Sequence, residues 1–180
     1  MAEFPILRQA TDADLPALER LIETSTRTLL ARHYSAAQLE AALGPVFGVD
    51  RQLVRDGTYF ACDHDGEIVA CGGWSKRASV YGGDRARRNE DPLLDPARDA
   101  ARIRAFFVAP AWERRGLGRA LLAASEAAIR EAGFTRIELA ATLAGEPLYR
   151  ANGYSVAART EAPLPGGLTL TVIRMTKTVG

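Results

Sequence analysis

The segment from residue 101 to residue 132 constrains the fold more than any other part of this chain. An apolar run over residues 101–109 predicts a strand that stops at Pro110. A basic turn with two glycines follows, and an alanine- and leucine-rich stretch over residues 117–132 then predicts a helix. Gly133 comes next, where glycine commonly ends a helix. A strand, a tight turn and a helix in this order are typical of a phosphate-binding site.

The start of the predicted helix offers the chemistry that a phosphate needs. The N–H groups of the first helical turn have no partners inside the helix, and their dipoles sum to a partial positive charge. A bound phosphate satisfies both. Gly116 and Gly118 allow close approach of the backbone, and Arg114, Arg115 and Arg119 add positive charge.

Two common phosphate-binding motifs do not fit this turn. No Gly-Lys-Ser/Thr sequence follows at the spacing of a Walker loop, and a dinucleotide-binding turn would need a third glycine and a later acidic residue. The turn resembles the pyrophosphate loop of the GNAT superfamily of acetyl-CoA-dependent N-acetyltransferases, Gln/Arg-x-x-Gly-x-Gly/Ala after a strand ending in Val-x-Pro. Residues 108–110 and 114–118 match, and Glu113 stands where the family usually has Gln or Arg. An ordinary glycine-rich connection is the alternative interpretation.

The resemblance spans nearly the whole chain and implies an α/β (α+β) GNAT acyltransferase fold. That fold has a central mixed sheet of six to seven strands flanked by about four helices, and two central parallel strands, here 101–109 and 136–141, diverge where acyl-CoA enters. Acetyl-CoA is then the co-substrate. The residues that would bind it are Phe107, Val108, Arg114, Arg115, Gly116, Leu117, Gly118, Arg119, Ala120, Thr142 and Arg150.

Three of these binding assignments rest on different grounds. Thr142 stands where many relatives have an asparagine that hydrogen-bonds the pantetheine arm, and its hydroxyl can supply part of that contact. Arg150 is either a phosphate contact or a solvated helix residue. The amides of residues 107–109 are candidates to polarise the thioester carbonyl.

Periodicity and turn signals predict the other elements. Further strands are expected at 4–8, 58–63, 67–74, 154–158 and 168–175, and further helices from about residue 14 to 30, at 35–43 and at 146–152. Asp65-Gly66 predicts a tight turn between two of the strands. Residues 76–99, rich in Arg, Asp, Gly and Pro, predict a long surface excursion within one domain over 1–180.

Bulk properties exclude several classes of protein. The net charge of +1 gives no support for a nucleic-acid or membrane partner. No stretch approaches the ~20 apolar residues of a membrane span, and the first residues do not resemble a signal peptide. We therefore expect a soluble cytoplasmic protein with no metal site. Cys62 and Cys71 are expected to be buried free thiols, with a disulfide as the alternative.

A second motif carries the expected catalytic residue. The segment from Glu146 to Tyr154 resembles the family segment in which a tyrosine hydroxyl faces the sulfur of coenzyme A, and the match assigns that role to Tyr149. A donor there would assist the departing thiolate. A core tyrosine that anchors a short helix is the alternative.

No general base transfers from the resemblance, because Arg102 stands where some relatives have a glutamate. The candidates are Glu138, His33, Tyr34 and Asp99, or a water chain.

The acceptor site is expected to be walled by residues 25–50, by Trp74 and the excursion after it, and by the turn at 163–167. A place in the core, which is more frequent for a strand tryptophan, is the alternative for Trp74. A mixed-charge run contains Arg85, Arg87 and Arg88 beside Asp84, Glu90 and Asp91, and it is interpreted as a solvated loop.

Three functions compete at this stage. The leading one is an N-acetyltransferase that moves an acetyl group to a primary amine by direct attack in a ternary complex. The second is a non-catalytic acyl-CoA-binding or regulatory module, and the third, a nucleic-acid-binding domain, is disfavoured by the balanced charge. The resemblance also allows a homodimer, because many relatives pair through edge or final strands.

Overall fold

A computed structural model describes residues 4–84 and 91–180 of the chain. Within these ranges seven strands form one mixed sheet in the order β1-β2-β3-β4-β5-β7-β6. The strands are β1 (Ile6–Gln9), β2 (Tyr59–His64), β3 (Glu67–Ser75), β4 (Ala101–Val108), β5 (Arg136–Ala141), β6 (Ser155–Pro163) and β7 (Thr169–Thr178). The predicted mixed sheet of six to seven strands is confirmed.

The same ranges contain five α-helices, one more than the sequence predicted. They are α1 (Leu15–Leu29), α2 (Ala36–Ala42), α3 (Arg51–Arg55), α4 (Leu117–Glu131) and α5 (Glu146–Ala151). The unpredicted helix is α3, which is capped by Asp50, whose side chain accepts a hydrogen bond from the Gln52 amide. Five residues are too few to show a helical stripe in the sequence.

Strand β6 is longer than predicted, and it includes the first residue of the predicted turn at 163–167. It extends to Pro163, which pairs with Thr169 of β7. Because β6 is an edge strand with most of its residues partly or fully exposed, its second half lacks the apolar alternation that marks a strand. The turn between the last two strands therefore begins only at Leu164.

The centre of the sheet opens between β4 and β5. The two strands pair in parallel at Ala101 with Ile137 and at Arg102 with Glu138, and the pairing ends there. The predicted divergence of these strands is confirmed. A gap therefore lies between the later parts of both strands, beside the residues that precede the basic turn.

A bulge in β4 turns the strand at the mouth of this gap. Cys71 of β3 pairs with Phe107 and Gly73 with Arg104, so β4 holds one extra residue there. Ala105 adopts a left-handed φ of 55°, and its carbonyl accepts a hydrogen bond of 2.7 Å from the Tyr59 hydroxyl. Gly72 lies opposite, where a Cβ atom would come within 2.4 Å of the Phe106 ring. This close approach requires glycine.

Helix α4 covers one face of the sheet and presents its N-terminus to the gap. Leu117, Leu121, Leu122 and Ile129 are almost completely buried. Each such leucine or isoleucine contributes roughly 1.5–3 kcal/mol by burial. Packing of the apolar stripe therefore fixes the position of the first helical turn.

The described flanks of the 76–99 excursion are paired rather than loose. The Leu94 amide donates to the Lys76 carbonyl at 2.8 Å, and the Ala78 amide donates to Pro92 at 3.1 Å. Arg77 forms an ion pair of 2.8 Å with Asp56. The predicted solvated run falls partly outside the described residues: Arg85, Arg87, Arg88 and Glu90 lie there.

Candidate active site

A cleft of about 770 Å³ occupies the gap between β4 and β5. It is bounded by the end of α1, by residues 46–48 and 80–82, by β4, by the start of α4 and by residues 140–152. Nine predicted site residues line it: Phe107, Val108, Arg114, Gly116, Leu117, Gly118, Arg119, Thr142 and Tyr149. Three others, Arg115, Ala120 and Arg150, are not among the lining residues.

The start of α4 supplies the anion-binding groups of the cleft. Gly116 caps the helix with φ 88° and ψ 0°, a left-handed conformation that favours glycine. The Ala120 amide donates to the Gly116 carbonyl at 3.0 Å, so Ala120 takes part in the helix rather than in ligand binding. Leu117, Gly118 and Arg119 line the cleft, and their amides precede the first intrahelical bond, so they have no partner inside the helix.

The arginines of the turn divide into two kinds. Arg114, with φ 63°, and Arg119 line the cleft with exposed side chains. The guanidinium of Arg115 instead lies 4.9 Å from the centre of the Trp112 ring, which also packs against His64. Arg115 therefore strengthens the turn by a cation–π contact.

Tyr149 projects from α5 into the cleft and is 7% exposed. Its ring centre lies 6.1 Å from that of Phe106 on the β4 bulge. No hydrogen-bond partner for its hydroxyl occurs within residues 4–84 and 91–180, so the donor is available to a ligand. Burial raises the pKa of Tyr149 well above that of a free phenol, so the group stays protonated at neutral pH and is a donor rather than a base.

A buried cluster holds Tyr149 in place from the opposite side. The ring of Tyr154 lies 5.6 Å from that of Tyr149 in an edge-on arrangement. The Tyr154 hydroxyl donates to Glu126 of α4 at 3.0 Å, and Lys177 of β7 binds the same carboxylate at 2.8 Å. Nothing in the local sequence around Tyr149 indicates this support, because Glu126 and Lys177 come from distant elements.

Thr142 and Arg150 already have partners within the protein. The Thr142 side-chain oxygen accepts a hydrogen bond of 3.0 Å from the Gly145 amide, which leaves the hydroxyl proton free to be donated. Arg150 donates to Glu146 at 2.8 Å on the surface of α5. This pairing favours the solvated interpretation of Arg150.

The backbone of β4 offers fewer carbonyl-polarising amides than expected. The Ala109 amide donates to the Val69 carbonyl at 2.8 Å, so the expectation that it polarises a ligand is wrong. Phe107 pairs with Cys71 of β3. Since successive amides of a strand point in opposite directions, the Val108 amide faces the gap.

The candidate bases differ in their access to the cleft. Glu138 is paired with Arg102 at 2.8 Å and with Arg174 at 2.6 Å. The Tyr34 hydroxyl donates to the Thr171 carbonyl and accepts from the Leu143 amide, and burial raises its pKa.

Asp99 accepts a hydrogen bond from the Asp95 amide. His33 is exposed and is the one member of the four that lines the cleft.

The expected acceptor walls are partly corrected by the structure. Trp74 is 4% exposed and packs against Phe134, so it belongs to the core and is not a wall. The turn at 163–167 does not line the cleft either, whereas Val172 of β7 does. The expected contributions are present: residues 25–50 supply lining residues within 25–33 and at 46–48, and the excursion supplies 80–82.

Comparison with known proteins decides the family. The sequence model of the Acetyltransferase (GNAT) family matches residues 18–154. The chain belongs to this GNAT family. The match confirms the resemblance and the class of enzyme that it implied. A search of curated protein sequences finds no match.

Solved structures share the fold of this GNAT protein at low sequence identity. A GCN5-related N-acetyltransferase from Rhodopseudomonas palustris is 20% identical, with a TM-score of 0.72 over 99% of this chain and 98% of that one. The PaiA N-acetyltransferase of Thermoplasma acidophilum, solved with coenzyme A, is 15% identical, with a TM-score of 0.65 over 96% and 98%. A Sinorhizobium meliloti phosphinothricin acetyltransferase, solved with acetyl-CoA, is 19% identical, with a TM-score of 0.66 over 100% and 90%.

One departure of this GNAT protein from the family pattern has a structural partner. Glu113, in place of Gln or Arg, lines the cleft and is held by both terminal nitrogens of Arg32, at 2.9 and 3.2 Å. Arg32 lies just after α1 and is far from Glu113 in sequence, so no local pattern indicates the pair. The guanidinium offsets a negative charge that would otherwise repel a diphosphate at the start of α4.

The pairing of Arg32 with Glu113 leads to a prediction for the coenzyme A affinity of two variants. Arg32→Ala should weaken binding about tenfold in calorimetry at low salt, because the bare Glu113 carboxylate repels the ligand. The double variant Arg32→Ala/Glu113→Gln should regain most of the affinity, since the repelling charge is gone. A double variant as weak as Arg32→Ala would show that Arg32 binds the ligand directly instead.

Proposed function

We propose that this GNAT protein is a single-domain N-acetyltransferase that transfers the acetyl group of acetyl-CoA to a primary amine by direct attack in a ternary complex. The observation that carries the proposal is that Tyr149 and the first residues of α4, whose amides have no partner inside the helix, line one cleft. The relatives from T. acidophilum and S. meliloti were solved with coenzyme A and acetyl-CoA, respectively, which supports the choice of co-substrate.

Binding begins at the diphosphate of the co-substrate. The amides of Leu117, Gly118 and Arg119 and the positive end of the α4 dipole receive its negative charge. Arg114 and Arg119 add charge from the rim. The pantetheine arm then follows the gap between β4 and β5, with the Thr142 hydroxyl as a donor beside it.

Chemistry takes place where the gap meets the β4 bulge. The Val108 amide polarises the thioester carbonyl, and the neutral amine attacks its carbon to give a tetrahedral intermediate. When the C–S bond breaks, Tyr149 donates a hydrogen bond to the departing thiolate. A free phenol is less acidic than a thiol by an amount worth roughly 2 kcal/mol, and burial of Tyr149 widens that gap. The proton therefore stays on Tyr149, and the thiolate is later protonated from solvent.

The amine must lose a proton before or during attack. His33 is the candidate base with access to the cleft, and a chain of water molecules is the other route. The non-catalytic acyl-CoA-binding module is the alternative function, because the cleft-lining carboxylate of Glu113 is engaged by Arg32.

A thiol-release assay distinguishes the two functions. Acetyl-CoA is incubated with the protein and with each member of a set of primary amines, and free coenzyme A is followed over time. We expect release that depends on one class of amine and an acetylated product in equal amount. Tight calorimetric binding of coenzyme A without amine-dependent release would favour the binding module, and absence of coenzyme A binding would contradict both.

Two further proposals concern the setting of the protein. Across the described residues no helix is long and apolar enough to span a bilayer. We propose a cytoplasmic location on a separate ground, the two buried free thiols of Cys62 and Cys71, which match the expectation of unpaired cysteines. A homodimer through the edge strands β1 or β6 or through the final strand stays a prediction.

A further inference from the structure

One side of the cleft is built from apolar and aromatic side chains. This apolar wall consists of Leu30, Val46, Phe47, Val80, Tyr81 and Val172. Phe47 lies edge-on to Phe107, with ring centres 6.0 Å apart. The wall therefore begins next to the β4 segment that would polarise the thioester, on the route by which an amine would approach it.

The part of the wall from the excursion is fixed by a buried arginine. Arg104 of β4 donates to the Ser79 carbonyl at 3.0 Å and to the Gly82 carbonyl. Its guanidinium is also paired with Asp50 at 3.0 Å, and the two side chains are 2% and 1% exposed. A buried pair of this kind has a defined geometry, so Val80 and Tyr81 are held between two anchored carbonyl groups.

A second set of bonds fixes the far end of the same segment. The Asp84 amide donates to the Val49 carbonyl at 3.0 Å, and its side chain accepts from the Arg51 amide at 2.9 Å. Gly83 packs so closely that a Cβ atom would lie 2.7 Å from the Val49 carbonyl oxygen. The wall is thus formed before a ligand arrives, which lowers the entropic cost of binding.

The charged residues of the cleft also bear on which acceptor can bind. Glu113 is the only acidic residue among the described residues that line the cleft, and Arg32 forms an ion pair with it. The other charged lining side chains are the arginines at 32, 104, 114 and 119. A polycationic acceptor would therefore meet no uncompensated carboxylate among the described lining residues.

We infer that the acceptor is a primary amine with an uncharged apolar body, and that Tyr81 and Phe47 select it. The inference rests on the proposed acetyl transfer and names the substrate class of the same site. Tyr81 is 42% exposed although it is a large aromatic residue, as expected for a side chain that a ligand covers.

The test compares two amine probes, 2-phenylethylamine and spermidine. With acetyl-CoA present, kcat/KM should be at least tenfold higher for 2-phenylethylamine. Tyr81→Ala should lower that value about tenfold and leave coenzyme A affinity within about twofold, while Tyr81→Phe should keep it. The matched control is Leu93→Ala, which removes an exposed leucine of the same excursion that does not line the cleft and should change nothing.

The outcomes separate this inference from the proposed function. A preference for spermidine, or an unchanged kcat/KM in Tyr81→Ala, overturns the apolar acceptor and leaves acetyl transfer intact. Calorimetry of 2-phenylethylamine with protein saturated by coenzyme A gives a reading independent of turnover. Binding that is lost in Tyr81→Ala without any acetylated product supports the apolar amine site and refutes acetyl transfer.

Discussion

Gly116→Asp should weaken coenzyme A binding about a thousandfold, or about 4 kcal/mol. The backbone at Gly116 has φ 88°, and a left-handed conformation costs a residue with a Cβ atom roughly 1–2 kcal/mol, which lowers folding stability. No atom lies within 4 Å of a Cβ built there, so the new carboxylate would occupy the open cleft. The negative charge in the place of the diphosphate accounts for the loss of affinity. Isothermal calorimetry with coenzyme A measures it.

The matched control is Gly66→Asp in the turn between β2 and β3. Gly66 has a similar φ of 84° and also has no atom within 4 Å of its built Cβ, but it does not line the cleft. This variant carries the same backbone strain and the same added charge, so it should lose some thermal stability and keep its affinity for coenzyme A. Unchanged affinity in Gly116→Asp would remove the α4 start from the proposed binding site.

The strand–turn–helix segment was predictable because its signals are local. Its signals all lie within about thirty residues: the apolar run that becomes β4, the glycine at the helix cap and the leucine stripe of α4. Each of them predicts the local structure of the residues that form it. Helix α5 was predicted as well, but the role of Tyr149 came from the family resemblance of residues 146–154 and stays a prediction. The divergence of β4 and β5 came from the family resemblance, since no local pattern in either strand encodes where their pairing stops.

The rest of the site depends on contacts between distant parts of the chain. Arg32 meets Glu113, and Arg104 meets Asp50, only because the sheet brings α1, α3 and β4 together. A charged residue in a strand is expected from the sequence to be exposed, yet Arg104 is 3% exposed. The acceptor side of the cleft consists largely of such long-range arrangements, which explains why the sequence alone left the acceptor unidentified.

For Trp74 the sequence left two positions open, a wall of the acceptor site and the core. The nine-residue strand β3 places it in the core beside Phe134, the more frequent position for a strand tryptophan. The residues that do form the wall, Val80 and Tyr81, follow it closely in a segment without periodicity. Their position is set by the Arg104 hydrogen bonds and not by any preference of their own.

Tyr149→Phe should lower kcat about a hundredfold and leave coenzyme A affinity nearly unchanged. The substitution removes only the hydroxyl, which has no partner in the described residues, and keeps the ring packed against Phe106 and Tyr154. The lost hydrogen bond is one that forms to the departing thiolate, so the loss falls on turnover rather than on binding. Steady-state thiol release together with calorimetry separates the two quantities.

The pH dependence of this effect tests the role of Tyr149 as a donor. Burial raises its pKa, so the phenol should stay protonated from about pH 6 to about pH 9, and the ratio of wild-type to Tyr149→Phe rates should be constant over that range. Tyr154→Phe is the control: it breaks the bond to Glu126 in the same aromatic cluster but does not line the cleft, so kcat should change only a few-fold. A ratio that falls as the pH rises would mean that the group lost in Tyr149→Phe ionises within this range. That result would contradict a buried Tyr149 phenol that stays protonated and donates to the thiolate.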